Sequence, residues 1–184
     1  MHRNRSHKFS DVVYHHSHDG DKMKIDREQK SKILKIARAA RNAAEELVSC
    51  GYKGPVYKSN DLTLGGACGD VSQVILDTVR THVGAGILTM CAGGFDGQSH
   101  YWLKFNDTCG CVKFLDATVT QFDDSLPRVY VSRDDRYMLE DEGSWIEPRF
   151  HPSDLYVSED EYLWRLMLYT LVEARLRGAR ERKP

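Results

Sequence analysis

Residues 99–118, SHYWLKFNDTCGCVKFLDAT, decide the fold of this chain. Two apolar runs flank a centre rich in turn-forming residues, which predicts two antiparallel strands joined by a hairpin. We place the strands at residues 100–105 and 111–116, with a five-residue loop between them. This register sets His100 directly opposite Asp116 on one face of the sheet, close enough for a hydrogen bond.

Upstream of this hairpin, Cys68 stands at the start of a predicted helix, after the small residues 65–67. The helical stripe consists of Val71, Val74, Ile75, Thr78 and Val79. A helix N-terminus carries free N–H groups and a partial positive charge, which favour the reactive thiolate over the thiol. The same N–H groups can receive the oxyanion of a tetrahedral intermediate.

Cys68, His100 and Asp116 together predict a nucleophile, its base and a carboxylate that orients the base. Each residue alone also fits a structural role. Cys68 fits a buried thiol, His100 a strand-edge histidine, and Asp116 the cap of the turn that follows it. Their combination favours a thiol-dependent acyl-transfer site.

The remaining pattern predicts an α+β domain with a central antiparallel sheet. Asp26 precedes a helix over 27–49, and Ser158 with Glu161 forms a capping box for a long C-terminal helix that ends at Gly178. The expected core stripe of this last helix is Leu163, Leu166, Met167, Thr170, Leu171 and Ala174.

Further strands are predicted at residues 87–91, 128–132 and 144–150. The charged residues 134–143 predict a surface loop, and the glycine-rich residues 93–97 predict a flexible rim beside the site.

Residues 1–25 are polar and rich in histidine, so we expect a mobile, solvated arm before a single catalytic domain over 26–180. Three histidines of this arm, His15, His16 and His18, are closely spaced and can bind a metal ion weakly. No cysteine or acidic ligand set accompanies them, and we expect neither a metal nor a nucleotide cofactor.

The chain has 184 residues and a net charge of −1 from 26 basic and 27 acidic side chains. This balance offers no basic face for nucleic acid. The sequence also holds no apolar run of the ~20 residues that cross a bilayer. Its start lacks the apolar core of a signal peptide, so we expect cytoplasmic synthesis and leave open export without a cleaved signal.

The chain has five cysteines, an odd number, and their spacings are irregular. This pattern does not suit a disulfide framework and predicts reduced thiols. Cys109 and Cys111, with Cys91 and either His82 or His151, form a conceivable zinc ligand set. The Cys-x-Cys spacing is tighter than the common Cys-x-x-Cys knuckle, so free thiols are the preferred interpretation for this pair.

Three motifs resemble the transglutaminase-like branch of the papain-like superfamily. They are Gly-Gly-Ala-Cys-Gly-Asp at 65–70, Ser-His-Tyr-Trp at 99–102 and Leu-Asp-Ala-Thr at 115–118. In that branch the catalytic cysteine heads a helix, and the histidine and aspartate come from adjacent antiparallel strands. The spacings, 32 residues from Cys68 to His100 and 16 from His100 to Asp116, are most similar to bacterial effector and toxin glutamine deamidases.

The resemblance, which covers about residues 60–122, implies a papain-like fold and deamidation of glutamine on a partner protein. Cysteine protease and transglutaminase activity use the same three residues and stay open, as does a non-catalytic protein-binding module. The family's polar oxyanion residue has Asn60 and Gln98 as candidates here. Trp102 matches the aromatic residue that this branch carries two positions after the histidine and is a candidate substrate contact.

Overall fold

The computed structural model describes residues 24–52, 62–133, 135–142 and 159–181. In these ranges the helices are α1 (Arg27–Ser49), α2 (Cys68–His82) and α3 (Glu159–Glu181), with a short 3₁₀ turn at Val119–Gln121. The strands are β1 (Thr89–Phe95), β2 (Gln98–Asn106), β3 (Val112–Asp116), β4 (Tyr130–Ser132) and β5 (Tyr137–Glu142). They form one antiparallel sheet in the order β4-β3-β2-β1-β5, which confirms the predicted α+β class.

The capping box at the start of α1 fixes where this helix begins. The Gln29 backbone N–H donates to Asp26 Oδ1 at 2.7 Å, and the Asp26 N–H donates to Gln29 Oε1 at 2.9 Å. The buried face of α1 is rich in alanine, which lets α2 and α3 lie close against it. The predicted bounds of α1 are confirmed.

The two faces of the sheet are covered differently. Leu103 and Phe105 of β2 point into a core made with the three helices, while Trp102 points to the opposite face. There it joins a smaller aromatic cluster with Phe95 and Tyr137. The predicted stripe of α2 is buried in the helical core, so α2 packs on β2 with Cys68 at its first turn.

The β1–β2 hairpin closes through Asp96 and Gly97, whose φ angles of 48° and 76° suit a tight two-residue turn. Strand β1 therefore continues through residues 93–95. The expectation of a flexible rim at 93–97 is wrong, because these residues pair in the ladder or form its turn.

The surface loop predicted at 134–143 is also wrong over residues 137–142, which form β5 at the edge of the sheet. Gly93 makes this pairing sterically feasible, since a Cβ there would lie 2.0 Å from the Met138 carbonyl oxygen. Strand β5 can carry charged residues because it lies at the edge of the sheet, where its outer edge has no neighbouring strand and is exposed to solvent. The β1–β5 ladder shifts register between Ala92 and Gly93.

The β2–β3 hairpin has a register two residues away from the predicted one. Asn106 pairs with Val112, so the loop consists of residues 107–111. The Asn106 carbonyl also accepts the Ile25 N–H at 3.1 Å, which keeps Asn106 in the strand. Ile25 is buried, so the packed domain already includes the last residues of the predicted 1–25 arm, whose other residues to 23 lie outside the described ranges.

Cys109 and Cys111 form a disulfide across the hairpin loop, with their Cα atoms 5.3 Å apart. The prediction of free thiols is therefore wrong for this pair, because the tight loop brings both sulfurs together. Cys50, Cys68 and Cys91 form no disulfide with the described residues.

Of the predicted α3 stripe, Met167 and Leu171 are half-buried and pack against the core, whereas Leu163 and Leu166 are 46% and 45% exposed. The buried stripe of α3 is Trp164, Leu168, Val172 and Leu176. Two polar contacts to α2 accompany this rotation: Arg165 Nε donates to Asp70 Oδ1 at 2.5 Å, and His82 Nε2 lies 2.7 Å from Glu173 Oε1.

Helix α3 also continues past Gly178, where we expected it to end, to Glu181. The expected cap at Ser158 and the expected strand at 144–150 lie outside the described residues. None of the described helices combines the length and apolarity that crossing a membrane requires.

Gly93→Ala tests the attachment of β5. The added methyl group has no room beside the Met138 carbonyl, so the variant should lose about 3 kcal/mol of unfolding free energy. Gly94→Ala is the matched control, because its Cβ would meet its nearest neighbour at an ordinary 3.7 Å. Urea denaturation of both variants measures the difference, and equal stabilities would contradict the β1–β5 pairing.

Candidate active site

Asp116, at the end of β3, is completely buried and accepts hydrogen bonds on both carboxylate oxygens. The Thr118 backbone N–H and hydroxyl donate to Oδ1 at 2.7 and 3.0 Å. His100 Nε2 lies 2.6 Å from Oδ2, and the Tyr137 hydroxyl donates to Oδ2 at 2.9 Å. A buried carboxylate needs such compensation, and here it joins β2, β3 and β5 at one point.

His100 is 1% exposed and sits among aromatic rings that fix its orientation. The Phe122 ring meets the imidazole edge-on at 4.8 Å, and Trp102 stacks on it at 5.9 Å. Because Asp116 occupies Nε2, the ring turns its other nitrogen, Nδ1, away from the carboxylate.

Cys68 occupies the first turn of α2 and is 9% exposed. Its side chain is a hydrogen-bond partner of the His100 imidazole. Because Asp116 already bonds Nε2 of that ring, Nδ1 is the nitrogen available to the Cys68 sulfur. The Tyr101 ring lies beside the same turn, 3.6 Å from the position of a Cβ on Gly69. Cys68, His100 and Asp116 are therefore brought together in the predicted order.

The electrostatics of the pair follow from burial and charge. Burial lowers the pKa of His100, but the Asp116 carboxylate and the Cys68 side chain outweigh it and raise this pKa to about 9. Burial raises the pKa of Asp116, yet the His100 charge and the hydrogen bonds to Asp116 prevail and lower it. The site thus favours a protonated imidazole beside an ionised carboxylate.

A buried arginine connects the two loops that carry the site. Arg41 of α1 donates from Nη1 to the Ala117 carbonyl at 2.8 Å and from Nη2 to the Leu62 carbonyl at 2.5 Å. Leu64 and Gly66 of the loop before Cys68 have φ angles of 65° and 92°. Leu64 is the strained position of the two, since glycine adopts a positive φ freely, and Arg41 bonds the carbonyl two residues before it.

The structure gives different positions to the other candidate residues named with the predicted triad. Trp102 is fully buried, so it supports the imidazole instead of contacting substrate as expected. Gln98 is exposed in the last pair of the β1–β2 hairpin, opposite Phe95. Asn60 lies outside the described residues.

Two residues of the site were missed by sequence reasoning: Tyr137 and Gln121. The bonds from Thr118 confirm the structural role considered for Asp116, the cap of the turn that follows it. Tyr137 lies in the segment expected to be a loop. Gln121 follows Asp116, whereas we sought the polar side chain close to Cys68 and His100.

Within the described ranges, no group of three or more histidine, cysteine, aspartate and glutamate side chains is arranged to hold a metal ion. Of the conceivable zinc ligands, Cys109 and Cys111 bond each other and His82 pairs with Glu173. His151 lies outside the described residues.

Asp116→Asn tests the origin of the raised His100 pKa. The change keeps the size of the side chain but removes its charge, so His100 should titrate well below about 9. NMR of the imidazole resonances measures this value in the wild type and the variant. An unchanged His100 pKa in the variant would show that Asp116 is not its cause.

The same shift predicts how the stability of the wild type depends on pH. The His100 pKa of about 9 exceeds its ordinary 6.5, so its stabilising contribution is complete below pH 6.5 and is lost as the pH rises to about 9. Chemical denaturation over this range should show falling stability in the wild type and a flatter profile in Asp116→Asn.

Comparison of the chain with protein-family models, with curated proteins and with solved structures found no match. The chemistry of Cys68, His100 and Asp116 is therefore the basis for proposing a function.

Proposed function

We propose that this chain is a cysteine hydrolase of papain-like, transglutaminase-like type that deamidates glutamine side chains of a protein substrate. One observation carries the proposal: the buried Asp116–His100 pair, 2.6 Å apart, leaves the second imidazole nitrogen to Cys68 at the start of a helix. An oriented base beside a thiol is the arrangement that nucleophilic catalysis requires.

In the proposed acylation step, His100 already holds the Cys68 proton as an imidazolium, and the thiolate sulfur bonds to the amide carbon. The carbonyl electron pair moves to oxygen, and the resulting oxyanion collapses with cleavage of the C–N bond. The imidazolium gives its proton to the departing nitrogen, so ammonia leaves and a thioester remains.

In the deacylation step, water attacks the thioester while His100 takes a proton from it. The second tetrahedral intermediate expels the Cys68 sulfur as a thiolate beside the protonated His100, which restores the starting pair. The net reaction adds one water to a carboxamide and releases ammonia and a carboxylic acid. Asp116 keeps the imidazole in the required tautomer and stabilises its charged form throughout.

The choice of glutamine rests on the resemblance of the motif spacing to glutamine deamidases. A cysteine protease would perform the same steps on a main-chain amide, and a transglutaminase would accept an amine in place of water. The proposal includes cytoplasmic synthesis and no cofactor, and it leaves open export without a cleaved signal.

A non-catalytic protein-binding module is the rival from another class of function. The exposed Leu163 and Leu166 on α3 give such a module an apolar surface. Binding through α3 would not, however, require the hydrogen-bonded charge pair at His100, which is costly to bury.

Cys68→Ala tests the nucleophile directly. The variant should keep the wild-type circular dichroism spectrum, because alanine is tolerated at a helix start, and should lose deamidation by about 10³-fold or more. Cys91→Ser, at another buried cysteine outside the disulfide, is the matched control and should remain active.

Incubation with a proteome extract, followed by mass spectrometry of glutamine-to-glutamate conversion, measures both variants against the wild type. Peptide fragments in place of conversion would indicate a protease, and amine incorporation would indicate a transglutaminase. Wild-type conversion in Cys68→Ala would contradict the proposed nucleophile.

A further inference from the structure

Gln121 places a side-chain amide at the imidazole edge that faces Cys68. Its Nε2 lies 3.4 Å from His100 Nδ1, the nitrogen that the Asp116 bond leaves free. Cys68 is a hydrogen-bond partner of the same ring. The amide and the sulfur therefore approach one nitrogen, at the place where bond making would occur.

The loop before Cys68 fixes which end of this amide faces the imidazole. The Gly66 backbone N–H donates to Gln121 Oε1 at 3.2 Å. A backbone N–H can only donate, so the carbonyl end of the amide must face Gly66. The NH₂ end is then directed at His100 and Cys68.

The backbone around Gln121 is held by the same contacts that hold Asp116. The Gln121 N–H donates to the Thr118 carbonyl at 3.0 Å, and Thr118 donates to Asp116. The Thr120 hydroxyl donates to the Thr63 carbonyl at 3.4 Å, which ties this turn to the loop before Cys68. Little reorganisation is needed for a donor placed in this way.

We infer that Gln121 is a further catalytic residue, whose Nε2 donates a hydrogen bond to the oxyanion formed when Cys68 attacks the amide. The inference rests on the proposed function and adds the group that stabilises its tetrahedral intermediate. It replaces Gln98 and Asn60 as the source of this side-chain donor, because the amide comes from the turn after Asp116.

The protonation of His100 leaves this donor available for the oxyanion. At neutral pH the site favours the protonated imidazole, in which Nδ1 carries a hydrogen and cannot accept one from Gln121. The Gln121 N–H, 3.4 Å from that nitrogen, therefore has no acceptor on the ring. Attack by the Cys68 sulfur places negative charge on the substrate oxygen, which supplies the acceptor.

A second donor for this oxygen is the N-terminus of α2. No side chain caps the N-terminal N–H groups of this helix, which begins at Cys68 itself. These groups and the Gln121 amide flank the same sulfur, as a two-donor oxyanion site requires.

Gln121→Ala and Gln121→Glu test the inference, with Gln98→Ala as the matched control at an exposed glutamine. Glutamate keeps the shape of the side chain and its acceptor for Gly66 but removes the N–H donor. The variants are first checked for wild-type circular dichroism. If Gln121→Ala does not fold, Gln121→Glu provides the result.

Two rates are compared for each variant: deamidation of a pool of glutamine-containing peptides, and alkylation of Cys68 by iodoacetamide. Loss of an oxyanion donor should lower kcat/KM for deamidation by about 10²–10³-fold. Alkylation forms no oxyanion, so its rate in Gln121→Ala should stay close to that of the wild type. An equal fall in both rates, or no fall in either, would overturn the inference.

A third measurement does not depend on turnover. An acetyl-dipeptide aldehyde forms a tetrahedral hemithioacetal with Cys68 and so protects it from iodoacetamide. Protection should need about 10²-fold more aldehyde in Gln121→Ala than in the wild type or Gln98→Ala. Equal protection in all three, or none in the wild type, would overturn the role of Gln121. A wild type protected by aldehyde but inactive on amides would refute only the proposed function.

Discussion

The burial of the Asp116 charge is the constraint on which the site depends. A carboxylate with no exposure to solvent must find its partners within the protein, and these come from β2, from β5 and from the turn after β3. Those partners are His100, Tyr137 and Thr118. Satisfying one charge therefore fixes the imidazole, attaches the edge strand and shapes the turn that carries Gln121.

Arg41 imposes a second constraint from the helical side of the sheet. Its guanidinium is 2% exposed, and its bonds to the Ala117 and Leu62 carbonyls join the turn after Asp116 to the loop before Cys68. Glu45, one turn along α1, balances its charge at 2.7 Å. Two compensated charges thus hold the His100–Asp116 pair and the loop before Cys68 in one arrangement.

The features that could be predicted from the sequence depend on residues that lie close together along the chain. The capping box and periodicity gave α1 and α2, and the hairpin placed His100 near Asp116 even though the register was two residues off. His100 and Asp116 still contact each other because side chains at diagonal positions on one face of a sheet remain within reach. Strand β5 depends on the space left by Gly93, and the rotation of α3 depends on how its side chains pack into the shared core; neither leaves a local pattern.

The central claim is that His100 activates the Cys68 thiol. Alkylation at about pH 6 tests it most directly, because an ordinary thiol is almost fully protonated at that pH. Cys50 is exposed whereas Cys68 is 9% exposed, so accessibility alone favours Cys50. Peptide mapping after brief iodoacetamide treatment should nevertheless show Cys68 labelled first, and His100→Ala should abolish this preference. Faster labelling of Cys50 in the wild type would contradict an activated thiol at the head of α2.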